Sequence, residues 1–474
     1  MHQQPKTLCS KLRPIMAVHC RKTAAMPMTM LLFLFLSLLS FSFQQETPTT
    51  TSDDHHHNNS KNISSLSVSF PLTTQRFSSR PSHVSPSSFV NQEESKVKGN
   101  NGGYQTRTRL SYTMALVLSL PIGTPPQTQQ MVLDTGSQLS WIHCGSKRNP
   151  NSRQPATLFD PSLSSSFSAL PCNHPVCKPQ IPDFSLPTFC QNSKCRYSYF
   201  YADGTQAEGN LVNEKLTLSP SLTTPPLVLG CSQQLGNNEK GILGMNLGRL
   251  SFVSQAKISK FSYCIPTRQA GSPSIGSFYL GENPNSNGFH YINLLSLPQG
   301  PNRPPNLDPF GYTVAMQGIR VGNKKLDIPP SVFLPQRNGA GQTIIDSGSE
   351  FTYLMDEAYN KVREEIVRLV GPKLKKGYMY ANVADMCFDG NPTEIGRLIG
   401  NMALEFDKGV EIVIQNEKMF GDVGGGVHCL AIGRTEMLGG ASNIIGNIHQ
   451  QNMWVEFDID SRRIGLGRAD CIRS

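Results

Sequence analysis

The sequence has little charge and no motif for a bound cofactor or metal. Charged residues make up 16% of its 474 residues, which is a low share. The chain contains no glycine-rich phosphate loop, no metal-ligand motif and no Gly-x-Ser-x-Gly nucleophile elbow. Its apolar run at residues 30–43 is shorter than the roughly 20 residues that a membrane-spanning helix needs. We therefore expect a protein that works without a cofactor or metal and that keeps no stable membrane span after signal removal.

The excess positive charge lies in the first part of the chain. The formal net charge is +9, yet residues 1–109 hold 12 of the 43 Lys and Arg residues and only 5 of the 34 Asp and Glu residues. The remaining residues therefore carry 31 basic and 29 acidic side chains, a net charge of +2. A nearly neutral body without a basic stripe lacks the electrostatic footprint of a nucleic-acid-binding protein. The sequence predicts no nucleic-acid partner.

The N-terminal region has the features of an export signal followed by a polar segment. A short apolar run after several basic residues indicates a signal peptide within residues 1–43, with a signal anchor as the alternative. Residues 44–109 are rich in Ser, Thr, Asn and His, which predicts a disordered pro-segment or linker. Asn58 and Asn62 each begin a glycosylation sequon there. We expect a secretory-pathway protein of the endoplasmic reticulum, a vacuole or the extracellular space.

Length and composition favour a β protein with two lobes. A chain of 474 residues exceeds one comfortable core, and its 40 Gly and 34 Pro separate short apolar runs. A proline-rich stretch at 286–311 indicates a connector between an N-terminal lobe at 110–285 and a C-terminal lobe at 312–474. Helical periodicity is clearest at 357–370, which Asp356 would cap. The prediction is a mostly β fold with few helices.

The cysteines agree with export. Ten of the twelve follow the apolar run, and an even number in an exported chain predicts disulfides. A zinc site at Cys172, Cys177, Cys190 and Cys195 is the alternative, but these spacings are wider than those of the usual paired zinc ligands. Spacing alone does not determine which cysteines pair.

Two acidic loops repeat along the chain. The stretch MVLDTGSQLSW places Asp134 at the end of an apolar run, and TIIDSGS places Asp346 in the same context. Each is followed, 110 and 100 residues later, by two apolar residues and a glycine, at 242–244 and 444–446. Two carboxylates about 3 Å apart cannot both ionise easily, so they share a proton. Such a pair can activate water for hydrolysis, and two copies of one acid loop in matching contexts indicate that the two acids have a shared function.

These loops resemble those of the pepsin-type aspartic proteases. Trp141 matches the family's tryptophan beside the active site, and Tyr201 in the stretch YADGT resembles the flap tyrosine. The cysteine-rich insertion at 172–195 and the stretch 261–264 are similar to those of the plant nepenthesin-like group. The resemblance covers residues 110–474. It implies a monomeric, bilobal pepsin-like fold of two six-stranded-type β lobes with a cleft between them.

The resemblance also implies roles for individual residues. Asp134 and Asp346 would be catalytic, and a flap containing Tyr201 and Gly204 would close over the substrate near Trp141. The family more often has Gly at the position of Ala202. The residues expected to support the carboxylates are Thr135, Gly136, Ser137, Ser347, Gly348 and Ser349. By analogy, the disulfides would be Cys144–Cys231, Cys172–Cys195, Cys177–Cys190, Cys264–Cys471 and Cys387–Cys429.

The function implied is that of an aspartic endopeptidase made as a zymogen. Its substrate would be a polypeptide in extended conformation, bound in the cleft by strand-like hydrogen bonding. The alternative is a non-catalytic binding protein of the plant xylanase-inhibitor type on the same fold, because fold alone does not determine activity. Relatives of that type have lost the pair of acids, whereas both acids are present here. The sequence therefore favours the protease.

Overall fold

Strands dominate the part of the chain that the computed structural model describes. The described residues are 68–77, 113–146, 158–178, 188–201, 206–219, 222–233, 240–267, 275–300, 302–436 and 440–472. The predicted signal region, the sequons at Asn58 and Asn62, and the flap residues Ala202 and Gly204 lie outside them. Within the described ranges no helix is both long and apolar enough to cross a membrane.

The first part of the chain forms strands up to the connector and one short helix, α1 (Phe252–Ala256). These strands are β1 (Val68–Phe77), β2 (Thr113–Ile122), β3 (Gln127–Asp134), β4 (Trp141–His143), β5 (Ser168–Ala169), β6 (Thr188–Gln191), β7 (Lys194–Phe200), β8 (Gln206–Glu214), β9 (Thr217–Ser219), β10 (Leu222–Thr223), β11 (Leu227–Ser232), β12 (Gly241–Gly244), β13 (Lys260–Cys264), β14 (Ile275–Leu280) and β15 (His290–Asn293).

The second part adds further strands and two longer helices, α2 (Asp356–Val370) and α3 (Pro392–Ile399). The strands are β16 (Met316–Val321), β17 (Lys324–Lys325), β18 (Thr343–Ile345), β19 (Thr352–Leu354), β20 (Cys387–Asp389), β21 (Met402–Phe406), β22 (Glu411–Ile414), β23 (Phe420–Gly424), β24 (Val427–Leu430), β25 (Ile432–Arg434), β26 (Asn443–Ile445), β27 (Met453–Asp458) and β28 (Arg463–Arg468).

A sheet at the base of the molecule joins the two lobes. Its order is β15-β28-β27-β13-β14-β1-β2-β3, and it continues through β12, β4 and β11 into the N-terminal lobe. One contact between the lobes is the antiparallel pair β13 and β27, where Phe261 lies opposite Phe457 and their rings stack at 4.6 Å. The C-terminal lobe has separate sheets, among them β18-β26-β19-β25. The architecture is the predicted bilobal, mostly β fold.

The segment predicted to be disordered contains a strand. Residues 44–109 were expected to lack regular structure, but β1 within them pairs with β14 on one side and β2 on the other. Its sequence VSFPLTTQRF contains Val, Phe and Thr, which favour strands. This strand-favouring stretch is short, and polar residues dominate the average composition of 44–109. Composition alone therefore does not predict the strand.

The two longer predicted features mostly agree with the structure. The predicted helix is α2, which begins at Asp356 and buries Ala358, Tyr359, Val362 and Ile366 on one face. Met355 rather than Asp356 takes the N-cap position, without a side-chain cap. The stretch 286–311, predicted as a connector, contains β15, which pairs with β28 of the base sheet.

The described residues form five disulfides, and two of the predicted pairings were wrong. The bonds Cys144–Cys231, Cys264–Cys471 and Cys387–Cys429 form as expected. In the insertion, the predicted Cys172–Cys195 and Cys177–Cys190 are replaced by Cys172–Cys190 and Cys177–Cys195.

Burial explains this exchange of partners. Cys177 and Cys195 are both buried in a cluster that includes Leu170 and Tyr197. Cys172 and Cys190 stay nearer the surface. The turn that ends at Cys177 is held inward because Thr188 donates its hydroxyl to the carbonyl of Lys178 at 3.1 Å. The buried sulfurs therefore meet each other, which spacing could not reveal.

Candidate active site

Asp134 and Asp346 occupy equivalent positions in the two lobes. Asp134 ends β3, and β12 runs parallel to β3 with Leu243 beside Leu133. Asp346 follows β18, and β26 runs parallel to β18 in the same way. The two apolar-apolar-Gly segments therefore lie beside the acid loops, as the repeat predicts. Both carboxylates are nearly buried, with exposed fractions of 7% and 8%.

Hydrogen bonds that cross between the lobes hold the two acid loops together. The backbone N–H of Thr135 donates to Oγ of Ser347 at 3.1 Å, and the N–H of Ser347 donates to Oγ1 of Thr135 at 2.9 Å. Oγ of Ser347 also donates to the carbonyl of Leu133 at 2.8 Å. Both side chains are fully buried, so these bonds are not exposed to competition from water. The arrangement fixes the distance between the two acids.

Each carboxylate has matching donors within its own loop. The N–H of Gly136 donates to Oδ1 of Asp134 at 2.9 Å, and Oγ of Ser137 donates to Oδ2 at 2.5 Å. In the second loop, the corresponding donors to Asp346 are the N–H of Gly348 at 2.9 Å and Oγ of Ser349 at 2.6 Å. The structure thus places all six predicted supporting residues around the acids.

The absence of a side chain at two glycines lets the loops approach closely. A Cβ atom on Gly348 would lie 2.2 Å from Oδ1 of Asp134, and one on Gly136 would lie 2.9 Å from the carboxyl of Asp346. Real Cβ atoms essentially never approach another atom within 3.0 Å. Each glycine therefore makes room for the carboxylate of the opposite lobe.

The close approach changes the acidity of the pair. Burial is the largest cause that raises the pKa of Asp134, to about 7, and the negative charge of Asp346 adds to it. The hydrogen bonds from Ser137 and Gly136 oppose the increase, and a hydrogen bond with Asp346 supports it. One proton is therefore retained between the two carboxyl groups in acidic and weakly acidic solution.

Tyr201 and Trp141 meet at the base of the predicted flap. Strands β7 and β8 form an antiparallel hairpin in which Phe200 pairs with Gln206, and Tyr201 directly follows β7. Nε1 of Trp141 donates to Oη of Tyr201 at 2.7 Å, and the Tyr199 ring packs edge-on against Tyr201 at 4.8 Å. Burial raises the pKa of Tyr201 well above its usual value, with further contributions from Tyr199 and from Asp134. The hydroxyl group therefore stays protonated near the acids.

Tyr201→Phe is expected to lower kcat/KM for a peptide substrate by about fivefold to a hundredfold. Removing the hydroxyl breaks the hydrogen bond from Trp141 that fixes the Tyr201 ring, and we expect the loss of this fixed position to weaken transition-state binding by about 1–3 kcal/mol. Steady-state kinetics measures the effect, and thermal unfolding separates it from a loss of fold. Tyr279→Phe is the matched control, since its ring packs on Trp454 in the base sheet. Unchanged kinetics for Tyr201→Phe would contradict the assignment.

Some supporting residues were missed by sequence reasoning. Oγ of Ser140 accepts the N–H of Gly244 at 3.0 Å, and Oγ1 of Thr352 accepts the N–H of Gly446 at 3.2 Å. The signal was present, because each hydroxyl residue follows its acid by six positions.

A glutamine beneath the second loop carried no such signal. Nε2 of Gln450 donates to the carbonyls of Asp346 at 3.2 Å and Ile445 at 2.8 Å. Its Oε1 accepts the hydroxyl of Tyr263 from the base sheet at 2.5 Å. The second acid loop is therefore tied to the sheet that joins the lobes.

Family models match both lobes of the chain. The model described as "Xylanase inhibitor N-terminal" matches residues 116–281, and "Xylanase inhibitor C-terminal" matches residues 311–468. The chain is 35% identical over 382 residues to Aspartic proteinase PCS1 of Arabidopsis thaliana, covering 76% of this chain and 83% of that protein. It is 34% identical over 366 residues to Aspartic proteinase nepenthesin-1 of Nepenthes gracilis, covering 75% and 78% of the two chains.

Solved structures of low sequence identity share the fold. Basic 7S globulin from soybean superposes with a TM-score of 0.55 at 17% identity, covering 85% of this chain and 97% of that one. Conglutin gamma from lupine seeds has a TM-score of 0.55 at 17% identity, covering 85% and 95%. The fold, the family models and the aspartic proteinase relatives agree: the chain belongs to the pepsin-type aspartic protease family, in its plant nepenthesin-like group.

Proposed function

We propose that this chain is an endopeptidase that hydrolyses peptide bonds with Asp134 and Asp346. The observation that carries the proposal is the pair of nearly buried carboxyl groups, one from each lobe, held together by Thr135 and Ser347. A hydrolase of this type needs two carboxyl groups close enough to share a proton, and the raised pKa of Asp134 fits that requirement. No cofactor takes part in the proposed mechanism.

The proposed reaction uses both protonation states of the pair. The ionised carboxylate takes a proton from a water molecule, which attacks the peptide carbonyl carbon. The protonated carboxyl group donates a hydrogen bond to the carbonyl oxygen and stabilises the charge that develops there. The tetrahedral intermediate then collapses as a proton passes to the leaving nitrogen. Ser137 and Ser349 keep the outer carboxyl oxygens in place through this exchange.

The proposed substrate is an extended polypeptide that lies between the acids and the flap hairpin. An extended chain can pair with the β7–β8 hairpin through its backbone, which gives affinity without a fixed sequence. Closure of Tyr201 over the substrate would order the peptide and exclude water from the reacting atoms. Gly204, three residues after Tyr201 in the sequence, would permit this movement, and Trp141 would hold the tyrosine through its indole N–H.

Secretion and activation from a zymogen form part of the proposal. The five disulfides suit an oxidising compartment, and aspartic proteinase relatives align over three quarters of the chain. The signal region at 1–43 would direct export to the extracellular space, the endoplasmic reticulum or a vacuole, with Asn58 and Asn62 glycosylated on the way. Processing near residues 100–114 would separate β1 from the catalytic body, which we propose to be a monomer.

The second candidate is an inhibitor of carbohydrate-cleaving enzymes. The names of the two matching family models favour it, since both refer to xylanase inhibitors. An inhibitor would not need two carboxylates with six matched supporting residues. The intact pair therefore favours the endopeptidase.

Processed wild-type protein is expected to cleave a denatured protein between about pH 3 and pH 6 and to lose activity as the pH rises past 7. The loss follows from the raised pKa of Asp134, because the proton that the reaction needs leaves the pair in that range. Cleavage is measured by peptide release with and without pepstatin, and the same preparation is assayed for xylanase inhibition. Pepstatin-sensitive cleavage supports the proposal. Xylanase inhibition without cleavage would favour the second candidate.

A further inference from the structure

The two lobes stabilise their acid loops alike, but the C-terminal lobe adds a histidine. In each lobe a hydroxyl oxygen, of Ser140 or Thr352, accepts the N–H of the glycine that ends the apolar-apolar-Gly segment. In the C-terminal lobe, Oγ1 of Thr352 also contacts Nδ1 of His449 at 2.8 Å. The residue three positions after Gly244 is Leu247, whereas three positions after the second glycine is His449. The titratable group therefore belongs to one acid loop alone.

The contact between Thr352 and His449 allows the hydroxyl group to donate to the ring. The Thr352 oxygen accepts the N–H of Gly446, and in the arrangement that we propose its own proton is donated to Nδ1 of His449. That donation requires a lone pair on Nδ1, as in the neutral ring. His449 is 4% exposed and Thr352 is fully buried, so neither has bulk water as a substitute partner. We propose that His449 is a positioning residue that holds the Asp346 loop while its ring is neutral, and that its protonation sets the acid limit of proteolysis.

Close contacts connect His449 to the acid. The carbonyl of Ile445 accepts the N–H of Asp346 at 3.0 Å. Gly446 follows directly, and a Cβ atom there would lie 2.1 Å from the carbonyl oxygen of Phe351. The segment is thus packed too tightly to shift alone. A change at Thr352 therefore moves the segment that supports Asp346, and this inference rests on the proposed function.

Burial opposes protonation of this ring. It lowers the pKa of His449 to about 4, while a hydrogen bond to the backbone of Met419 acts in the other direction. The turn of His449 contacts β19 and β22, and the backbone carbonyl of Glu350, just before β19, accepts the N–H of Ile448 at 3.1 Å. The titratable side chains of these segments are Glu350, Tyr353 and Glu411, and Glu411 is paired with Arg320 at 2.7 Å.

The other charged groups near this region do not compensate a positive ring. The hairpin of β23 and β24 carries Asp422 and His428, and the turn before Met419 carries Glu417 and Lys418. None of them contributes to the pKa shift. The pKa of His449 is set by burial and by the backbone of Met419, with no contribution from a carboxylate of the described ranges. Protonation would therefore bury an unpaired charge and leave the Thr352 hydroxyl proton without its acceptor.

The direction of the pH effect follows from linkage. The pKa of the ring is about 6.5 in the unfolded chain and about 4 in the folded one, so between these values the unfolded chain binds more protons. Folding stability therefore falls as the pH falls through this window. The ratio of folded to unfolded protein decreases by roughly 300-fold below it. Activity declines over the lower part of the window, where the folded ring gains its proton.

His449→Gln tests the proposal, because Oε1 of glutamine can accept from Thr352 but does not titrate here. At pH 3 wild-type kcat should be about tenfold below its plateau, since one pH unit below a pKa of about 4 leaves about a tenth of the rings neutral. The variant should keep most of its plateau kcat there, with KM little changed in either protein. His290→Gln is the control, since His290 is exposed on an edge strand and should leave the profile unchanged.

Two measurements separate this proposal from the proposed function. The melting temperature of wild type should fall more between pH 6 and pH 3 than that of His449→Gln, whether or not the protein is a protease. Nitrogen NMR of histidine-labelled wild type should find Nδ1 of His449 unprotonated until the pH approaches 4, which does not depend on folding of the variant. Superimposable pH profiles of activity and melting temperature for wild type and variant, or a protonated Nδ1 at pH 6, would overturn the proposal.

Discussion

Asp134→Asn and Asp346→Asn are each expected to lower kcat by about 10²–10⁴-fold, which is the range of a lost general acid or base. The amide keeps the shape of the carboxyl group but cannot exchange the shared proton. Because the two acids act as one unit, the double variant should be little worse than either single one. Initial rates with a quenched peptide at pH 4–5 measure the effect. Full activity in either single variant would exclude the proposed mechanism.

Asp134→Asn should also remove a pH-dependent cost to folding stability that the wild-type carboxyl group carries. A raised pKa means that the folded state favours the protonated acid, so the contribution of Asp134 to wild-type stability falls as the pH rises through about 4 to 7, opposite in sign to that of His449. The amide has no such cost, and at pH 7 the variant should be more stable by up to a few kcal/mol. At pH 3 the two should differ little. Asp460→Asn, on an exposed turn, provides the control for both assays.

The pair of acids was predictable because the chain carries the acid loop twice. One Asp-Thr-Gly is an ordinary turn, but Asp346 in the same context, with matching segments at 242–244 and 444–446, specifies two equivalent loops. The sheet pairing then follows, since a parallel neighbour must run beside each acid strand. The two-lobed fold could be predicted for the same reason, because a repeated pattern indicates two equivalent lobes even where single residues do not.

Features that depend on burial were harder to predict from the sequence. The pairing of Cys172 with Cys190 and of Cys177 with Cys195 follows from which sulfurs face the small core of the insertion. The role of Gln450 appears only when the base sheet brings Tyr263 beneath the second acid loop. Residues close in space but distant in sequence leave no local pattern, so such contacts require the folded chain.

Gly348→Ala is expected to lower kcat by at least about 10²-fold, because misplacing a reacting group by about 1 Å costs that much. The added Cβ would lie 2.2 Å from Oδ1 and 2.6 Å from Cγ of Asp134. The side chain of Asp134 is short and buried, and its carboxylate accepts hydrogen bonds from Gly136 and Ser137. It cannot move aside without losing those bonds. Overpacking of this kind also costs about 1–3 kcal/mol of stability.

The equivalent glycine of the first acid loop, Gly136, allows the size of the effect to be compared. A Cβ on Gly136 would meet the Asp346 carboxyl at 2.9 Å, so Gly136→Ala should lower kcat less than Gly348→Ala does. Gly371→Ala is the control for a glycine-to-alanine change, because Gly371 has helical backbone angles and its added Cβ would meet only Val367 at 3.2 Å. The measurements are kcat at pH 4–5 and the melting temperature of each variant. The added Cβ makes the closer contact at position 348, so Gly348→Ala must disturb the two acids more than Gly136→Ala does. A wild-type kcat in Gly348→Ala, or a larger loss of kcat in Gly136→Ala, would therefore mean that the acid loops are not packed as closely as the structure shows.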